Sequence, residues 1–419
     1  MLSNSALMAK SRQQPLEHRL LLTATFCLLA GGAVMVYSAS SARTLLEGHG
    51  DGTTYLVKYL MYGAAGLVMM QLLARHGLEH VRRFTPALLL GAFVLLLLVQ
   101  VPGLGVTVNG ARRWLGAGPL QFQPAEIMKL ALVLHAAAAL SARARIARSL
   151  RGVAGPIFLP GGCAVLLIVV AQRDLGTALV IGFTLAAMLV AAGLPLRQLG
   201  LVAAGAALLI VVFALLEPYR RARLTAFINP WDHAGTIGFQ SVQGQIAIGS
   251  GGLFGVGPGQ SVQKVFYLPE AHTDFILAVI GEELGLAGIC GLLALYGMIG
   301  YAGLRTAKAA KGAYAKLLAA GLTSLILCQA LLNVYTVLGL APLTGVPLPF
   351  ISSGSTSLIV LMSAMGLLLN VAGGGSAHLR AVRAPRAREG GERPADRDRG
   401  RRDGRARGAG HRGGRRAAG

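Results

Sequence analysis

Charge is scarce in this chain: acidic and basic residues together make up 13% of its 419 positions, whereas 54% are hydrophobic. With a mean hydropathy of +0.60, most of that length cannot serve as the water-facing surface of a globular protein, and a multi-span membrane protein is the class that fits. Cysteine is sparse too. Cys27, Cys163, Cys290 and Cys328 each lie in an apolar run, where cysteine behaves as a small hydrophobe, so neither a disulfide framework nor a metal-ligand spacing is present. No internal repeat occurs, which removes the signature of transporters built from symmetric halves. The nine glycines between Gly235 and Gly259 are not followed by Lys-Ser or Lys-Thr, and no strand precedes them, so they are not a nucleotide-binding loop. Their plain reading is a flexible loop in which glycine permits tight turns.

What is present is apolar sequence in span-sized pieces. Crossing a bilayer takes about 20 apolar residues, and ten runs qualify: Leu20–Ala39, Thr54–Leu73, Pro86–Leu104, Pro124–Ser141, Pro156–Ala171, Leu175–Ala192, Leu199–Leu216, Thr273–Leu304, Lys316–Leu340 and Phe350–Val371. The expected fold is therefore all-α and polytopic, with about ten transmembrane helices. The first run has no small-residue cleavage site and reads as a retained span, not a signal peptide. Only Gln172-Arg173-Asp174 parts the fifth run from the sixth. The net charge is +22, of which the stretch from Ser376 to Gly419 supplies +9 through 14 Arg against 5 acids, leaving +13 for the rest. Cations in short loops are a topology signal; a nucleic-acid partner would need them on a folded soluble face. Arg75, Arg82 and Arg83, then Arg143, Arg145, Arg148 and Arg151, then Arg197, then Arg305, Lys308 and Lys311 alternate onto one side with both termini. That places residues 1–19 and the low-complexity tail 372–419 in the cytoplasm, around a membrane domain of residues 20–371. Residues 217–272 form the one long extracytoplasmic loop. The tail has the composition of a disordered segment, and contact with anionic lipid is a secondary expectation.

Ionisable groups inside spans are costly and mark function by default. Glu126 and Lys129 open the fourth span three residues apart, on one helical face, where they can pair. Such a pair is either a structural tie or a phosphate holder. Asp274 falls at the mouth of the eighth span, in the expected first turn, with Thr273 placed to cap. Its face continues through Ala278, Gly281, Gly285 and Gly288, a small-residue stripe that admits a neighbouring helix. Asp274 is thus expected to point into the protein as a general-base candidate. Glu282 and Glu283, deeper on the same helix, read as groups satisfied by other spans. Arg112, Arg113, Trp114, Arg173, Asp174, Arg220, Arg221, Arg223 and Lys264 border the same expected face, where a phosphate-bearing headgroup would lie.

NGARRWLG, QPAEIMKLA, QRDLGTALV, RRARLTAFINPWD, the stretch from IAIGSGGLFGVG through FYLPEAHTDFILAVIGEELG, and NVYTVLGLAPLTGVPLPFISSGSTSL together resemble the SEDS family (shape, elongation, division and sporulation), over nearly the whole span region. The short link between GSGGLFGVG and FYLPEAHTDF resembles the family's division members. Ser352 to Thr356 and Arg173 depart from the family pattern. The resemblance implies polymerisation of lipid II into peptidoglycan glycan strands at the outer face of the cytoplasmic membrane, at the division septum. A class B penicillin-binding protein would be the transpeptidase partner, beside other divisome membrane proteins. It carries the family's essential Asp onto Asp274, its Glu and Lys onto Glu126 and Lys129, and its Arg before Trp onto Arg113.

A diphosphate leaves readily, so one base plus positive charge suffices where O-glycosidases need two carboxylates. Asp274 would take the acceptor hydroxyl proton, with inversion at the donor carbon. Arg113, Lys129 and a divalent cation such as Mg or Mn would stabilise the leaving group; no organic cofactor is implied. Two rivals remain at this point: a lipid II flippase, and a non-catalytic scaffold that activates the transpeptidase.

Overall fold

The computed structural model describes residues 15–46, 52–108, 111–117, 120–142, 149–216, 225–265 and 267–374. Arg143, Arg145, Arg148, Arg220, Arg221, Arg223 and the basic tail lie outside these residues. Among the described residues, eight helices are long and apolar enough to cross a membrane: α1 (Leu16–Leu46, apolar through Ser41), α2 (Thr54–Arg75), α3 (Leu78–Leu98), α4 (Pro124–Ala142), α5 (Leu150–Ala171), α9 (Ile276–Ala309), α10 (Ala313–Val337) and α11 (Ser355–Ala372). Two more apolar helices, α6 (Leu175–Ala191) and α7 (Leu196–Leu216), occupy the sixth and seventh expected runs. The remaining helix of length, α8 (Phe239–Gly251), lies in the loop before α9. Three short antiparallel strands, β1 (Gly105–Val108), β2 (Ala111–Ala117) and β3 (Leu120–Phe122), stand between α3 and α4. The all-α expectation did not contain them.

Burial sorts the helices into layers. The apolar windows of α11, α10, α4 and α9 are 83, 78, 67 and 61% buried, against 22% for α2 and 17% for α3, so the first four form the interior and the last two the lipid-facing rim. Small residues set the close approaches, as in other membrane bundles. Gly366 of α11 lies against the Met70 backbone of α2, and Gly303 of α9 against Thr323 of α10.

Helix irregularities follow from proline and glycine. In α5, Ala154–Phe158 and Leu167–Ala171 are π turns, and Pro156 and Pro160 interrupt the α ladder. Nε2 of His135 stands 2.9 Å from the Pro156 carbonyl. The helical donor to that carbonyl would be residue 160, a proline without N–H, so the imidazole supplies the proton. The third helix begins at Leu78, eight residues earlier than expected, with Pro86 inside it. The break between α5 and α6 falls where expected: Arg173 takes φ 54° and Asp174 caps α6 by accepting from the Thr177 N–H at 3.0 Å.

The glycine-rich loop departs from its plain reading. Phe239–Gly251 is helical, and two of its glycines serve close packing: Gly251 abuts the Gly281 carbonyl, and Gly244 the Phe275 ring. Beyond it, Gly252, Gly255, Gly257 and Gly259 all have positive φ, and there the turn reading holds. This segment enters a break in α9 at Gly285 (φ 65°, ψ −162°). Val256 and Gly257 donate to the carbonyls of Glu282 and Glu283 at 2.9 and 3.1 Å, and Leu286 and Ala287 donate to those of Gly252 and Leu253, both at 3.0 Å. The backbone groups freed by the kink are thus paired with the loop, as membrane burial demands.

Candidate active site

One end of the bundle holds Arg113, Asp174, Glu126, Lys129 and Asp274. The ends of α4, α5, α6, α9, α10 and α11 meet there, and the sheet lies on them. The Gln123 N–H donates to Thr356 Oγ1 at 3.0 Å, and the Gln123 side chain to Asp174 at 3.0 Å, tying the starts of α4, α6 and α11 together. Arg113, on β2, donates from Nε to the Gln172 carbonyl at 3.0 Å and from Nη2 to the Arg173 carbonyl at 2.6 Å. Its guanidinium has five N–H donors in all, so others remain for a ligand. At the opposite end Arg82 stands over the Tyr314 ring and Arg305 pairs with Glu17 at 3.2 Å.

Glu126 and Lys129 do pair, at 2.8 Å, with side chains only 2 and 1% exposed. Lys129 also donates to Gln329 Oε1 at 2.7 Å. An ammonium has three N–H donors, so one is left beyond these two bonds. Glu126 Oε2 is buried with no hydrogen-bond partner among the described residues.

Asp274 lies before the helix, not in its first turn: α9 begins at Ile276, Phe275 is its N-cap residue, and no side chain caps it. Thr273 Oγ1 does not cap the helix: its acceptors are Glu270 Oε2 at 2.9 Å, the Glu270 carbonyl at 3.0 Å and Asp274 Oδ1 at 3.2 Å. The reason lies in Asp274's own backbone, whose carbonyl accepts from Asn333 Nδ2 at 2.7 Å, while the Ala278 N–H turns to the Phe275 carbonyl at 2.9 Å. Asp274 is half-buried, with its carboxylate beside Gly345. The small residues beyond it do admit a neighbour, which is α8 of the loop and not another span; the kink at Gly285 ends the stripe.

Glu282 and Glu283 are satisfied mainly by the loop. Glu282 accepts from Ser261 Oγ and from the N–H of Val262 at 3.0 Å. Glu283 Oε1 takes Lys264 at 2.8 Å and Ser38 of α1, on another span, at 2.6 Å, while its Oε2 is buried without a partner among the described residues. Lys264 is therefore buried in an ion pair and is not available to a headgroup.

The non-helical strap from Leu338 to Gly354 roofs this end, and its carbonyls are met one by one. Those of Val346, Pro347, Pro349 and Phe350 accept from Asn333 (2.7 Å), Gln329 (3.0 Å), Tyr296 (2.6 Å) and Tyr59 (2.6 Å). Irregular backbone at membrane depth requires such partners. Ser353, in the segment that departs from the family pattern, donates to the His272 carbonyl at 2.8 Å and so pins the strap two residues from Asp274. Gln329 and Asn333 went unnoticed in the sequence because the search was for ionisable groups. Two amides four residues apart in an apolar 25-residue helix were the available signal.

Fold and site together define a multi-pass α-helical membrane protein with acidic and basic groups gathered under a strap at one end. A family model described as "Cell cycle protein" (FTSW_RODA_SPOVE) matches residues 18–375, and the chain belongs to that family. The probable peptidoglycan glycosyltransferase FtsW of Geobacter sp. (strain M18) is 39% identical over 344 residues, 81% of this chain and 92% of that protein. Stage V sporulation protein E of Bacillus subtilis (strain 168) is 38% identical over 359 residues, 84% of this chain and 96% of that protein. Among solved structures, a chain from work on the structural coordination of polymerization and crosslinking by a peptidoglycan synthase complex aligns with a TM-score of 0.68 at 31% identity, covering 84% of this chain and 96% of that one. The rod shape determining protein RodA of Thermus thermophilus aligns with a TM-score of 0.59 at 29% identity, covering 84% and 95%.

Proposed function

We propose that this chain is a peptidoglycan glycosyltransferase that polymerises lipid II into glycan strands at the outer face of the cytoplasmic membrane, with both termini inside, during division. Its relatives carry the glycosyltransferase name. The observation that carries the mechanism is the half-buried Asp274 carboxylate at the bundle end that also holds Arg113 and the Glu126–Lys129 pair. Asp274 accepts the proton of the acceptor sugar hydroxyl as that oxygen bonds to the donor's anomeric carbon, with inversion. The carbon–oxygen bond to the lipid diphosphate breaks, and the diphosphate leaves with the electron pair. Arg113 binds it through its remaining N–H groups, and the uncapped starts of α9 and α11 add positive potential. Lys129, held beneath the strap by Glu126 and Gln329, has one N–H left to offer the diphosphate.

Among the described residues no three His, Cys, Asp or Glu side chains gather as a cation cage. A cation of the Mg type takes one or two carboxylates plus substrate phosphates; were Asp274 such a ligand, that role would replace its role as base. Bound there, it would neutralise charge on the leaving group. A class B penicillin-binding protein is the proposed partner, supported by the synthase-complex neighbour.

The test is glycan synthesis by the purified chain with its transpeptidase, given lipid II in detergent, for wild type and Asp274→Ala. Polymer from the first and a rate lower by about two to four orders of magnitude from the second is expected. No glycan from the wild type points to the flippase or scaffold, and an unchanged Asp274→Ala rate removes the base.

A further inference from the structure

We propose that Asn333 is a positioning residue for the polymerisation step, holding the Asp274 peptide so that its carboxylate meets the acceptor hydroxyl. The proposal rests on Asp274 acting as the base. Asp274 precedes α9 and so has no place in the helical ladder: the N–H four residues on, that of Ala278, bonds to Phe275 instead. Its carbonyl is fixed from outside, by Nδ2 of Asn333 at 2.7 Å, and the second proton of the same amide goes to the Val346 carbonyl, also at 2.7 Å. One side chain therefore sets the distance between the base's backbone and the strap, whose Gly345 lies beside the Asp274 carboxylate.

The amide's orientation is fixed by its neighbours, since two carbonyls can only accept and the nitrogen must face both. Asn333 is 1% exposed, and its Oδ1 is buried without a partner among the described residues. Leucine would fill the same volume of an apolar helix without that unpaired oxygen. An amide that spends both donors on two backbone segments and leaves its acceptor unpaired is arranged for where it holds those segments. Gln329, one turn earlier, does the corresponding work for Lys129 and Pro347, which makes α10 the element against which base and cation are both registered.

The experiment uses the full chain co-purified with its transpeptidase and lipid II as substrate. Asn333→Leu keeps the volume and removes both donors. It is expected to lower kcat about 10- to 100-fold, the cost of misplacing a reacting group by about 1 Å, with KM for lipid II within about twofold of wild type. In an Asp274→Glu background, where the carboxylate is already displaced, the same substitution is expected to cost less than about threefold, because both changes act through one group. A role confined to packing would leave kcat alone, or would shift kcat and KM together and add its full effect in either background; any of these results overturns the proposal. If Asn333→Leu does not insert, Asn333→Ser, which cannot reach both carbonyls, is measured by the same criteria. Should Asp274→Asn polymerise at the wild-type rate, the fault lies with the base assignment and not with Asn333.

Discussion

Lys264 and Glu283 form a buried ion pair at 2.8 Å that fastens the loop before α9 to the kinked turn of α9. Ser38 Oγ bonds to the same Glu283 oxygen at 2.6 Å, so α1, the loop and α9 share one polar knot. Removing one member of a buried pair leaves an uncompensated charge, at a cost of about 3–5 kcal/mol, whereas removing both is often nearly neutral. Lys264→Met should therefore lower the thermal midpoint of the detergent-solubilised protein sharply, and Lys264→Met with Glu283→Gln should recover most of the loss. Size-exclusion chromatography after graded heating measures both.

The Glu126–Lys129 pair allows structure to be separated from function by the same logic. Lys129→Met alone strands Glu126 at 2% exposure, and the variant should be unstable. The double variant Glu126→Gln, Lys129→Met should insert and stay monodisperse yet polymerise lipid II at least about tenfold more slowly, because a cation next to the leaving diphosphate is gone. A folded double variant with the wild-type rate would make the pair a structural tie and nothing more.

Arg113 carries a subtler test. Its Nε and Nη2 bind two successive carbonyls, those of Gln172 and Arg173, a fork that a lysine ammonium cannot reproduce with N–H left over at the same place. Arg113→Lys should retain the charge yet raise KM for lipid II by about tenfold, and Arg113→Ala should raise it further. Steady-state polymerisation over a substrate series distinguishes them.

The sequence discloses this architecture unevenly, for physical reasons. Eight of the ten expected runs as span-length apolar helices, the hinge at Gln172-Arg173-Asp174 and the Glu126–Lys129 spacing were legible, because burial in lipid forces composition and helical periodicity forces spacing. The sheet was not: Gly105–Val108 and Leu120–Phe122 are four and three residues long, too short for an alternating pattern to register. The start of α9 was misplaced by three residues because the Asp274 carbonyl is taken by Asn333, a contact 59 positions distant that no local cap signal reveals. The partners of Glu282 and Glu283 were sought in other spans, yet most came from a loop whose glycines looked merely flexible. Such a loop can enter a bundle only where a helix opens its own backbone, and Gly285 is that opening.

Gly285 accordingly offers the severest single test of the fold. Its φ of 65° and ψ of −162° lie in a region essentially restricted to glycine, costing any other residue about 1–3 kcal/mol in strain. A Cβ there would also collide with backbone atoms of Leu253 and Gly255, which cannot swing aside as a side chain could. The break cannot simply heal into a straight helix, because the carbonyls of Glu282 and Glu283 already accept from Val256 and Gly257, and the N–H groups of Leu286 and Ala287 donate to Gly252 and Leu253. Gly285→Ala should thus expel the loop from α9, freeing Lys264 and Ser261 from the two glutamates, and the protein should lose both thermal stability and polymerase activity. Limited proteolysis within residues 252–264 reports the expulsion directly. Wild-type resistance to the protease in a Gly285→Ala protein would mean that the loop is held by its side-chain contacts alone and that the backbone exchange contributes little.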